Sequence, residues 1–85
     1  MTEFKLYDIL EFYYICLVKD RNIVPTKNGG DLNHIAWMTQ QAHIFVEEGR
    51  VEKAMRWLGF IQGVLWIHRI FTLDELKNHS RPDGE

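Results

Sequence analysis

The segment RVEKAMRWLGFIQGVLWIHR, residues 50–69, constrains the fold of this chain more than any other part of it. Read at 3.6 residues per turn, it places Val51, Ala54, Leu58, Ile61 and Leu65 on one stripe at spacings of three and four. Trp57, Phe60, Val64 and Ile67 fall on the far side. A helix apolar on two sides needs two coverings, and a chain of 85 residues builds a single small core. The second covering is expected to be another copy of the chain, a partner or a ligand. A binding role therefore follows before any motif is considered.

Composition agrees. Hydrophobic residues make up 46% of the chain, with three Trp, three Tyr and five Phe, which is too apolar for a disordered segment and short enough for one domain. The single cysteine, Cys16, allows no intrachain disulfide; in an apolar helical run it reads as a buried, reduced thiol, in keeping with a reducing cytoplasm. The first twenty residues carry acids inside their apolar stretch and no small-residue cleavage site, and no run of about 18 apolar residues occurs. Neither a targeting segment nor a membrane span is expected.

The formal charge of −2 conceals a segregation. Asp31, Glu47 and Glu48 make the second helix acidic, whereas Arg50, Lys53, Arg56 and Arg69 outnumber Glu52 in the third. Opposite signs on neighbouring helices favour antiparallel pairing, although exposed ion pairs contribute only about 0–1 kcal/mol each. The cations are too sparse for duplex nucleic acid.

Four helices are expected. The first spans residues 2–19, capped by Thr2, with Leu6, Leu10, Tyr13 and Leu17 as its stripe and Ile9 and Cys16 widening it. A connector at 20–31 follows, with Pro25 and the turn-forming Asn28-Gly29-Gly30. Asp31 is read as the N-cap of a helix over 32–48, whose inward stripe is Leu32, Ile35, Thr39, Ala42 and Val46. Trp37, Met38, Ile44 and Phe45 fall outside it. Gly49 is placed for a left-handed cap, so that residues 32–69 form a tight helical hairpin. Thr72 and Glu75 form a capping box opening a short helix to Asn78. The predicted fold is all-α: a hairpin, a packed N-terminal helix and a short C-terminal helix in one domain, 1–78, followed by a mobile polar tail, 79–85. Copies are expected to associate, most simply as a twofold dimer.

Lys53, Arg56, Trp57 and Phe60 are the expected contact residues. Their spacing sets two cations beside two rings on the outer face, which suits either a protein interface or an anionic planar ligand. Gly59 and Gly63, one turn apart, bring a neighbouring backbone close at a helix-propensity cost of roughly 1 kcal/mol each. Gln62 lies on the inward side and needs an amide partner, for which Thr39 and His43 across the hairpin are the candidates. His43 and Glu47 lack a third ligand at matching spacing, so no metal site and no cofactor are expected. His68 is placed to serve the helix dipole. Lys27 and the turn at 28–31 offer a weak anion site beside the plainer reading of a turn and cap. A Walker loop, HExxH and a nucleophile elbow are all missing, and the only serine, Ser80, is assigned to the tail. No catalytic role is expected.

The stretch from His34-Ile35-Ala36-Trp37-Met38 through the Gly49-Arg50-Val51-Glu52-Lys53 run and the block Arg56-Trp57-Leu58-Gly59-Phe60-Ile61-Gln62-Gly63 to Leu65-Trp66 and Thr72-Leu73-Asp74-Glu75-Leu76 resembles small proteins of tailed bacteriophages. It covers residues 34–76 and carries no assigned activity. The resemblance implies a phage accessory protein acting in the bacterial host cytoplasm. Such a protein would inhibit or titrate a host factor, as counter-defence or host takeover. Two alternatives stand beside it, a sponge holding a nucleotide-like anion between protomers and a structural or assembly component of the virion.

Overall fold

The computed structural model describes residues 2–80. Thr2 opens α1 (Glu3–Tyr14), its hydroxyl accepting the Lys5 amide at 3.1 Å. The helix does not stay regular to residue 19. It widens into a π-helical stretch over Ile15–Asp20, stopped by Asn22 at φ 57, with the Ile23 amide reaching back to the Leu17 carbonyl at 3.0 Å. Asparagine tolerates the left-handed region better than most residues, which makes it a workable stop. Leu6, Leu10, Tyr13 and Leu17 are buried as their spacing predicts; Cys16 is only half-buried, so the expectation of a buried thiol is corrected.

Asp31 is not the N-cap of α2 (Asp31–Glu47). Gly30 holds that position in extended backbone without a side-chain cap, and Asp31 is the first helical residue. Its carboxylate lies 3.2 Å from His68 Nε2 at the end of α3 (Val51–Ile67), while an acid in a first turn still suits the helix dipole. The connector is tied to α2 by Asn33 Nδ2 donating to the Val24 carbonyl at 3.0 Å and by His34 Nδ1 donating to the Lys27 carbonyl at 2.6 Å.

Ile35, Thr39, Ala42 and Val46 are buried in accordance with the periodicity, but so are Ala36 and Met38, outside that stripe. The reason is tertiary. α2 packs against α1 on one flank, where His43 meets Tyr7, and against α3 on the other, where Phe45 meets Trp57, so it needs a wider apolar arc than one stripe supplies.

Gly49, at φ 78, ends α2. The Gly49 amide bonds to the Val46 carbonyl at 3.0 Å and the Arg50 amide to the Phe45 carbonyl at 2.7 Å, a Schellman pair that closes the turn into α3 (Val51–Ile67). α3 ends in the same way, with Arg69 N–H on Trp66 O and Ile70 N–H on Leu65 O, both at 2.9 Å. Here a non-glycine residue, Arg69, takes φ 58.

The capping box forms as expected ahead of α4 (Leu73–His79): Glu75 N–H donates to Thr72 Oγ1 at 3.1 Å and Thr72 N–H to Glu75 Oε1 at 2.9 Å. α4 runs one residue beyond Asn78. His79 and Ser80 make internal hydrogen bonds and belong to the fold; residues 81–85 of the expected tail lie outside the described residues. Among the described residues the secondary structure is entirely helical, and no helix is long and apolar enough to cross a membrane.

Candidate functional site

Along the seam between α2 and α3, rings and cations alternate. Trp57 of α3 meets Phe45 edge-on at 4.8 Å and Trp37 at 5.9 Å between centroids. Lys53 Nζ lies 4.5 Å from the Phe45 centroid and 5.9 Å from that of Trp57, Arg50 Cζ stands 5.1 Å from Phe45, and Lys27 Nζ is 5.7 Å from Trp37. Cations over ring faces are attracted by the ring quadrupole, worth about 0.5–1 kcal/mol at such exposure. This keeps three ammonium and guanidinium heads beside half-buried rings.

The four expected contact residues therefore divide. Lys53 and Trp57 meet on the seam. Arg56 and Phe60 turn outward, Arg56 beside Glu52 at the start of α3 and Phe60 beside Gly63, Ile67 and the Asp31–His68 pair at its end. Trp37 and Phe45 complete the seam, although helical spacing alone leaves them as residues outside the inward stripe. A Trp and a Phe two turns apart on one flank, opposite Lys53 and Trp57 across a tight turn, were the available signal.

Gly59 and Gly63 do not bring another helix of this chain close. Among the described residues, a Cβ built on either would meet nothing within 4 Å, so no close approach is made to them within the described fold. Around them Met55, Phe60, Trp66 and Ile67 remain 41%, 56%, 48% and 69% exposed, a largely apolar face along the outside of α3.

Gln62 finds its partners away from Thr39 and His43. Its Nε2 donates to Tyr13 Oη at 3.0 Å and to Ser80 Oγ at 2.8 Å, and Tyr13 Oη also bonds His79 Nδ1 at 2.8 Å. Gln62 donates to the Tyr13 hydroxyl, which is left to pair with His79 Nδ1 as donor or acceptor according to the imidazole tautomer. The rings of Phe12, Tyr13 and Phe71 pack around His79 and leave that imidazole half-buried. Burial lowers the His79 pKa, with Glu75 opposing and Lys5 adding to the shift. Burial likewise pushes the Tyr13 phenol up to about 12, against the Gln62 hydrogen bond. Thr39 instead donates to its own helix at Ala36 O, 2.7 Å away. His43 stacks on Tyr7 at 4.5 Å, with Nε2 3.2 Å from the Tyr7 carbonyl and 3.7 Å from Glu11.

Among the described residues no group of three or more His, Cys, Asp or Glu is placed to hold a metal ion. Compared with protein-family models, with curated proteins and with solved structures, the chain matches none.

Proposed function

We propose that this chain is a non-enzymatic binding protein that engages an acidic surface of another protein through the α2–α3 seam. The observation carrying this reading is the set of cations, Lys27, Arg50 and Lys53, each held over the ring of Trp37, Phe45 or Trp57. Rings hold the charged heads in place before a partner arrives, which reduces the ordering cost of binding. The alternative, a sponge for a planar anion, draws less support from the same geometry, because the cations already stand over ring faces that such a ligand would stack on. On the sequence resemblance alone, we place the protein among phage accessory proteins, with a bacterial host protein as the partner it titrates in the host cytoplasm. In that reading α2 and α3 act together as an antiparallel hairpin, the rigid element presenting the seam.

Affinity capture from bacterial lysate, quantified by mass spectrometry, tests this. A stoichiometric acidic partner is expected with the wild type and lost with Lys53→Glu combined with Arg50→Glu. Retention of that partner by the charge-reversed variant, or a melting-temperature shift with a nucleotide panel and no protein partner, would overturn it.

A further inference from the structure

The outer face of α3 is separate from the seam and is built differently. Its centre is bare backbone at Gly59 and Gly63, open to approach, and its sides are the exposed Met55, Phe60, Trp66 and Ile67. Taking such side chains at roughly 200 Å² each, their exposures leave on the order of 400 Å² of mostly apolar surface open. That is about half of the roughly 800 Å² per partner of a standard interface. The glycine backbone, Glu52, Arg56 and the rim at Leu73 and Asp31 supply further area. The total accessible surface, 5352 Å², is close to the ~5,300 Å² expected for a folded monomer of 10.1 kDa, so the face belongs to a chain already compact without a partner.

We propose that a second copy of this chain covers that face, with the two α3 helices crossing antiparallel about a twofold axis level with residue 61. On an α-helix, Gly59 and Gly63 straddle that level, so each glycine faces the other glycine of the second copy and the backbones close up. The same operation sets Met55 against Trp66 of the second copy, a favourable sulfur–ring contact, and Phe60 against Phe60.

Charge decides the direction. Glu52 and Arg56 stand at the start of α3, while Arg69 and Asp31, held beside His68, stand at its end. Antiparallel crossing brings Glu52 to Arg69 and Arg56 to Asp31 of the second copy. Parallel crossing sets Glu52 against Glu52 and Arg56 against Arg56, like charges that count against it.

Sedimentation velocity over a series from micromolar to millimolar protein tests the proposal. The wild type is expected to reach a dimer. Gly59→Gln with Gly63→Gln, substitutions that fill open space and favour helix, should keep the circular dichroism of the wild type and raise the dimer dissociation constant by roughly thirtyfold or more. Arg56→Asp should weaken association, and adding Asp31→Arg should restore it. Lys53→Glu on the seam should leave association unchanged, which separates this interface from the binding function proposed above. A wild type that stays monomeric throughout, or a dimer indifferent to the glycine pair, overturns the interface. Failure of the charge swap to restore association overturns the antiparallel register.

Discussion

Replacing Tyr13 by Phe removes one oxygen and unsettles three side chains. Gln62 loses an acceptor, His79 loses the partner of its Nδ1, and Ser80 is left with a Gln62 amide no longer anchored from the other side. Leaving such part-buried groups unpaired costs on the order of 1–3 kcal/mol, whereas the ring itself still fills the core. Tyr13→Phe should therefore lower the unfolding free energy by that amount, read as a lower urea midpoint at unchanged slope, and an unaltered midpoint would show that water replaces the hydroxyl at no cost. Tyr13 was legible in the sequence only as an apolar stripe residue. Gln62 was legible as an amide in need of partners, but its acceptor lies 49 residues away, and no local spacing identifies it. The nearer candidates, Thr39 and His43, are occupied by carbonyls closer at hand.

The two ends of the α2–α3 pair make a controlled comparison between elements. Both helices stop with the same hydrogen-bond pair, one through Gly49 at φ 78 and the other through Arg69 at φ 58. A side chain in the left-handed region costs roughly 1–2 kcal/mol, and glycine offsets part of that gain by loosening the unfolded chain by about 0.4–1 kcal/mol. Arg69→Gly is thus expected to stabilise by about 0.5–1 kcal/mol, and Gly49→Ala to destabilise by about the same. Denaturant titration reads both, and matching signs in the two variants would contradict the shared cap geometry. Caps of this kind are local, so Gly49, Thr2 and the Thr72–Glu75 box were readable from a few adjacent residues. Arg69 was not, because arginine carries no signal for positive φ. The widened turn over Ile15–Asp20 and the burial of Met38 were also hidden, the latter because it depends on which neighbours α2 acquires.

Across the whole molecule, stability is unevenly shared, and α4 is the weakly held part. α2 buries six residues between α1 and α3, while α4 buries Leu76 alone and otherwise depends on its capping box, on the contacts of His79 with Tyr13, Phe12 and Phe71, and on the Ser80–Gln62 bond. Such an element opens locally at lower free energy than the global transition. Acid should open it first. The folded pKa of His79 lies below its ordinary 6.5, so its contribution is complete above that value, weakens as pH falls through it, and is fully lost below the folded pKa. Glu75, held below the ordinary 4.5 by the Thr72 amide and hydroxyl, contributes above 4.5 and loses its hold as pH falls through the lowered value. Both groups therefore act in the same direction, His79 in the milder acid range and Glu75 beneath it. Native-state hydrogen exchange at pH 7.5 and near pH 5.5 should show α4 amides losing protection on acidification while those of α2 hold. His79→Gln, which keeps a polar partner for Tyr13 without the titration, should abolish the change in that interval. If α2 and α4 lose protection together, α4 is part of one cooperative unit and the acid sensitivity belongs to the core as a whole.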